Sequence, residues 1–160
     1  MAAKLRYEDI QELYQEHGAA LLAYASALLG DRTSGEDVLQ QVFLKLLAGR
    51  VPVPAEARPY LFRAVRNTAL NSRRAGARTV PLDDHSWLMN PAGMMEAGIE
   101  LEKAMETLPS EQREVVVMRV WGEMTLEEIA TVLDVPANTV ASRYRYALDK
   151  LRELLRDEVR

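Results

Sequence analysis

The sequence predicts an all-α protein built as two small helical domains joined by a linker. Apolar residues recur at helical spacing in segment after segment, which marks amphipathic helices. A stretch punctuated by glycine and proline, Ala75 to about Ala97, interrupts that periodicity between two helical blocks. The C-terminal stretch Thr125 to Leu155 then reads as a short helix, a tight turn and a longer helix. A length of 160 residues fits one ordinary domain or two small ones. The expected boundaries are 1–76 for the first domain, 77–98 for the linker and 99–160 for the second.

From Tyr7 to Gly30 the pattern gives two helical segments. Ile10, Leu13 and Tyr14 make the first apolar face; Ala20, Leu21, Tyr24, Leu28 and Leu29 make the second, closed by Gly30-Asp31. Ser34 is the expected N-cap of the next helix, with Asp37 in the capping-box position. There Val38, Val42, Phe43 and Leu46 point inward, and Asp37, Gln40, Gln41 and Lys45 lie on or beside a polar face. Pro52 and Pro54 break the helix. A fourth helix runs from about Glu56 to Arg74, with Leu61, Phe62, Val65 and Ala69 as its core face. Arg63, Arg66, Asn67, Asn71 and Arg74 occupy much of the remaining surface. Arginine pairs with phosphates in a bidentate manner and asparagine reads base edges, so this chemistry suits nucleic acid. The bland reading is a solvated basic face.

The linker carries Gly76, Pro81, Pro91, Gly93 and Gly98, but also Trp87, Leu88, Met89, Met94 and Met95, which make it stickier than a plain tether. Helix returns at about Ile99 to Thr107, breaks at Leu108-Pro109-Ser110, and resumes from Glu111 to Trp121 with apolar Val115, Val116, Met118 and Val120. These helices must support the segments that follow, which cannot bury their own apolar faces alone. Thr125 is the next N-cap, and Glu128 completes a capping box. Leu126, Ile129, Ala130 and Leu133 form one face, and Asp134-Val135-Pro136 makes the turn. In the last helix Val140, Tyr144, Ala147, Leu148, Leu151 and Leu155 share the buried side. Asn138, Thr139, Ser142, Arg143, Arg145 and Tyr146 stay nearer the outside. Such a helix-turn-helix holds its second helix proud enough to enter a DNA major groove. Alone, the same pattern also fits an ordinary helical hairpin.

Composition narrows the function classes. There is no cysteine, so no disulfide, thiolate metal site or cysteine nucleophile is available. His17 and His85 lie in different segments without a nearby nucleophile, and Asp83-Asp84 reads as solvated linker, so neither an enzyme nor a metal or cofactor site is expected. The N-terminus lacks the apolar core of a signal peptide, and the longest weakly polar run, Gly18 to Gly30, is too short to span a bilayer. A cytoplasmic chain without membrane insertion is the expectation. The net charge of −4 argues against indiscriminate binding to nucleic acid. That total hides a local asymmetry. Arginines 58, 63, 66, 73, 74 and 78 form a basic block free of acids, and acids 83, 84, 96, 100 and 102 follow without a lysine or arginine among them.

With these segments in place, the chain resembles a bacterial extracytoplasmic-function (ECF) sigma factor along nearly its whole length. GEDVLQQVFLKLL is similar to the region-two segment that docks on the clamp helices of RNA polymerase. RPYLFRAVRNTALNSRR resembles the helix that melts and reads the downstream (−10) promoter element. The stretch from LPSEQREVVV through the final helix resembles region four, which reads the upstream (−35) element and touches the polymerase flap. The resemblance implies a region-two helical bundle followed by a region-four helix-turn-helix domain. It implies core polymerase contacts at Asp37, Gln40, Gln41 and Phe43. Downstream-element contacts fall at Arg63, Arg66, Asn67, Asn71, Arg73 and Arg74, and the loop Gly49 to Ala57 corresponds to the one that captures a flipped base. Upstream-element contacts fall at Asn138, Thr139, Ser142, Arg143, Arg145 and Tyr146. Promoter DNA and core polymerase are the implied partners, and family habit adds an anti-sigma factor. This sequence departs from the family pattern at Ala141, where a lysine is frequent, at Asp134, where glycine is usual, and at Tyr60 and Asn71. Two other readings use parts of the same pattern. A stand-alone DNA-binding regulator needs only the final helices and leaves DVLQQVF unexplained; a degenerate sigma paralogue would act through protein partners alone.

Overall fold

The computed structural model describes residues 6–49, 52–74 and 104–159, and every regular element among them is a helix. The expected linker lies outside the described residues, as do the side chains of Arg73 and Arg74.

Helix α1, Tyr7–Leu29, is continuous where two segments were expected. Gly18 lowers helix propensity locally, yet burial of Ile10, Leu21 and Tyr24 along one side outweighs that cost. The Asp9 carboxylate accepts the Arg6 N–H at 3.0 Å at its start. Gly30, at φ 91°, ends it by returning its N–H to the Ser26 carbonyl at 2.7 Å. Helix α2, Arg32–Leu47, starts earlier than expected, because Asp31 and not Ser34 is the N-cap. The Asp31 carboxylate accepts the Ser34 N–H at 2.8 Å and so satisfies an orphan donor of the first turn. Asp37 is thereby freed from any capping role and stands exposed on the helix surface. Val38, Val42, Phe43 and Leu46 are buried, as their spacing requires.

Helix α3, Ala57–Arg74, lies across the first two, and Leu61, Phe62, Val65 and Ala69 are completely buried. Beyond the undescribed segment, residues 104–107 are helical and α4 spans Ser110–Val116. The chain then widens into a π turn, Val117–Trp121, where a regular helix was expected. This shift leaves Val120 exposed although Met118 is buried. Helix α5, Leu126–Leu133, begins at a reciprocal capping box: Thr125 Oγ1 accepts the Glu128 N–H at 3.1 Å and the Glu128 carboxylate accepts the Thr125 N–H at 2.9 Å. Asp134 caps its end at φ 56°. Aspartate enters this left-handed region more readily than most residues with a Cβ, so the turn closes without glycine. Helix α6, Ala137–Val159, buries Val140, Ala147 and Leu151 against the unit.

The two helical units pack together. Helices α1 and α3 meet the π turn and α5, and one apolar core runs through both units. The Tyr24 and Phe62 rings lie 5.3 Å apart within that core. A Cβ added to Gly122 would stand 3.0 Å from Phe62 Cζ, so the backbone of the C-terminal unit touches the ring directly. Arg58 completes the joint by donating from Nη1 to the Glu123 carbonyl at 2.9 Å.

His17 makes the folded state sensitive to acid. Burial holds its imidazole below the ordinary value of 6.5; Glu16 opposes that displacement and Arg58 adds to it. The folded state therefore prefers the neutral ring, and the unfolded chain binds the proton more readily. Its contribution to stability is present above pH 6.5 and is lost as pH falls through the lower folded value. Replacing His17 by Gln should flatten that loss in denaturant titrations on either side of pH 6.5; an unchanged slope would remove His17 as the cause.

Candidate nucleic-acid and protein interfaces

Three faces bring the expected site residues together. The first lies between α1 and α2, where Tyr7, Ile10, Tyr14, Gln40, Phe43, Leu44 and Leu47 line an open groove of about 370 Å³. Asp37, Gln40 and Gln41 are exposed on α2, at spacings that make them surface neighbours. Phe43 is 6% exposed and meets the Tyr14 ring edge-on at 5.1 Å, so it forms the groove floor rather than a projecting contact. Sequence reasoning missed the apolar rim: Tyr7, Tyr14, Leu44 and Leu47 are all exposed. The signal available was that Leu44 and Leu47 fall outside the inward stripe Val38, Val42 and Leu46.

The second face is on α3. Arg63, Asn67 and Asn71 recur every fourth residue and are exposed along one side. Arg66 is drawn inward. Its Nε donates to Glu114 Oε1 at 2.6 Å, and the Tyr24 hydroxyl donates to the same oxygen. Glu114 is only 7% exposed, yet two donors satisfy its charge. Burial, with the Glu114 carboxylate next in importance, pushes the Tyr24 hydroxyl well above its ordinary value. For Arg66 burial works against the charged form, but Glu114 outweighs it and raises the guanidinium above its usual range. Sequence reasoning missed this cluster, which joins residues 48 and 90 positions apart. Beside it, Pro54, Glu56, Pro59, Tyr60 and Arg63 line a cleft whose opposite wall is Glu127, Glu128 and Thr131 of α5.

The third face is the start of α6. Asn138, Thr139, Ser142, Arg143 and Tyr146 line a concavity shared with Pro109, Glu111 and Gln112. Tyr146 is 57% exposed, with the Arg145 guanidinium 5.3 Å above its ring. Arg143 Nη2 stands 3.8 Å from Glu111 Oε2, a loose and largely wet pairing worth little. Among the described residues, no group of histidines and acids has the arrangement of a metal site. None of their helices is long and apolar enough to cross a membrane.

Residues 13–79 match the Sigma-70 region 2 family and residues 104–153 match Sigma-70 region 4. The ECF RNA polymerase sigma factor SigL of Mycobacterium tuberculosis is 30% identical over 158 residues, covering 92% of this chain and 89% of that protein. The chain belongs to the ECF sigma factors. The RNA polymerase sigma-E factor of Streptomyces antibioticus is 32% identical over 161 residues. In fold, this sigma factor is similar to RpoE from Bartonella quintana, solved with the anti-sigma factor NepR. That similarity has a TM-score of 0.75 at 22% identity and covers 93% of this chain and 98% of that one. CnrH, solved with the cytosolic domain of CnrY, aligns with a TM-score of 0.64 at 23% identity. Asp37, Gln40, Gln41 and Phe43 of the first face and Arg63, Arg66, Asn67 and Asn71 of the second lie within the region-two match, and α6 carries the third face within region four. Glu114, which holds Arg66, is a region-four residue, so the polar cluster ties the two regions of the sigma factor to each other.

Proposed function

We propose that this sigma factor, a promoter-specificity subunit of RNA polymerase, divides its work among the three faces. The α1–α2 groove, with Asp37, Gln40, Gln41 and Phe43, docks on core polymerase. Arg63, Arg66, Asn67, Asn71, Arg73 and Arg74 engage the downstream promoter element. Asn138, Thr139, Ser142, Arg143, Arg145 and Tyr146 read the upstream element. The observation that carries this reading is the exposed apolar groove on α1 and α2. A stand-alone regulator has no use for it, whereas a subunit that must seat on a large enzyme does. The Arg and Asn row on α3 suits phosphates and base edges, and a helix-turn-helix suits a major groove.

The chain itself performs no catalysis in this scheme; polymerisation belongs to the core enzyme. Its place of action is the cytoplasm, where polymerase works. Residues 77–98 act as the linker between a region-two domain at 1–76 and a region-four domain at 99–160. Two modest DNA contacts joined through polymerase become selective by effective concentration. RpoE, a relative in fold, is found with the anti-sigma factor NepR, and we assign an anti-sigma partner to this chain as well.

The test is binding of the purified chain to core RNA polymerase, followed by initiation from duplex promoters. Stoichiometric binding with initiation is expected; specific DNA binding without polymerase binding would favour a stand-alone regulator. Arg143→Ala should weaken upstream-element binding by about tenfold or more, the usual cost of losing a base-edge contact, and leave polymerase affinity intact. Gln40→Ala should do the reverse, with a several-fold loss of polymerase affinity of the kind many single interface contacts show. Equal losses of both affinities in either variant would contradict the division of faces.

A further inference from the structure

We infer that Tyr146 makes the upstream-element face a reader of thymine, its ring covering the 5-methyl group of one base while Arg145 holds the ring in place. The inference rests on the functional reading above, in which α6 enters the major groove, and it names the base that one residue of α6 selects. A lone exposed tyrosine is ordinary on a protein surface. Three observations set this one apart. Asn138, Ser142 and Tyr146 recur every fourth residue, so the ring lies on the same side of α6 as two polar side chains suited to base edges. All three line the concavity of about 460 Å³ that α6 shares with Pro109 and Gln112, whereas Tyr144, two residues earlier, packs against the core. The Arg145 guanidinium, finally, lies over the Tyr146 ring at 5.3 Å from its centroid.

The major groove presents acceptors, amino donors and one kind of apolar group, the thymine methyl. An exposed phenol ring has only its hydroxyl to offer the polar groups, but its carbon surface gains by covering a methyl. A ring free to turn would lose rotamer freedom on binding. The guanidinium over it reduces that loss, because the cation–π attraction already holds one ring face. Stacking in this way uses the plane of the guanidinium and leaves the N–H edge of Arg145, itself exposed, for a phosphate. The pair divides two tasks: Arg145 supplies a charge that any sequence satisfies, and Tyr146 a contact that one base satisfies.

The experiment uses the full chain assembled with core RNA polymerase. Binding selection from duplex promoters randomised across the upstream element supplies the preferred sequence. Each thymine of either strand is then replaced singly by deoxyuridine, which removes the methyl and keeps the base-pair hydrogen bonds. One such replacement should weaken binding by about fourfold, the value of one buried methyl-sized group. In Tyr146→Ala the same replacement should have no effect. In Tyr146→Phe it should keep its full effect, since the hydroxyl takes no part. Arg145→Ala should weaken binding to all sequences alike, lower the salt slope by about one and shrink the deoxyuridine effect, because the ring is released. A preferred element with no thymine that responds to loss of its methyl would overturn the inference. So would a methyl effect that survives Tyr146→Ala, disappears in Tyr146→Phe or stays undiminished in Arg145→Ala. Each of these results would leave the upstream-element face a reader of DNA. A complex that enriches no upstream sequence at all would instead overturn the reading of that face, and the inference with it.

Discussion

Phe62→Ala should lower the free energy of unfolding by about 3–5 kcal/mol, the usual cost of deleting a fully buried aromatic ring. Phe62 has no exposed surface, contacts Tyr24 across the core and bears on the backbone at Gly122. The void would open where region two meets region four, and neither side can fill it without moving a helix. Urea titration followed by circular dichroism gives the magnitude. In a Trp87→Phe background, fluorescence of Trp121, at the end of the π turn, gives a second probe sited in region four. The two probes should coincide in the parent chain and separate in the variant, because the ring is shared by both units. A loss below about 1 kcal/mol would mean that the ring is not packed as described.

Gly35→Ala is expected to destabilise by about 1–3 kcal/mol, the usual penalty of overpacking. At an open helix position the same exchange would stabilise by about 1 kcal/mol. The sign reverses here because the added Cβ would lie 2.4 Å from Ser26 Oγ, 2.9 Å from Ser26 N and 3.1 Å from Ser26 Cα. Removing the hydroxyl answers only the first of these contacts. Ser26→Ala should itself be tolerated, since the buried Ser26 Oγ has no hydrogen-bond partner, and it should rescue Gly35→Ala only in part. Full rescue would place the conflict in the side chain alone and would contradict the close approach of the α1 and α2 backbones. Thermal or denaturant unfolding of the four proteins in this cycle measures the coupling.

What was legible in the sequence was periodic or local. Leu61, Phe62, Val65 and Ala69 repeat at helical spacing and are all buried; Thr125 and Glu128 announce a cap that forms as expected. The reading failed where two local signals competed. Asp31 and Ser34 are both good caps, and the earlier carboxylate takes the amide of the later serine, which shifts the start of α2. It also failed where apolar residues face outward. Leu44 and Leu47 carry no mark that separates an exposed rim from a core, because hydrophobicity alone does not say which surface will cover it. The cluster of Tyr24, Arg66 and Glu114 was out of reach for a different reason. Its members are charged or polar residues on three separate helices, with no spacing to link them. Arg66 was read as a DNA contact from its own chemistry, while the acid that meets it could be found only from the packing.

The π turn at Val117–Trp121 has a consequence for chain length. Its closing bond runs from the Gly122 N–H to the Val117 carbonyl at 3.0 Å, which accommodates one residue more than an α-helical turn. Deleting any one of these five residues would let the backbone relax to a regular helix and rotate everything after it by about 100° about the helix axis. Gly122 would swing away from Phe62, the Glu123 carbonyl would leave Arg58, and α5 and α6 would be re-aimed as a body. Substitutions in this stretch alter side chains one at a time; a single deletion would instead change the phase between α3 and α6. At this point of the chain, the number of residues constrains the molecule more tightly than their identity.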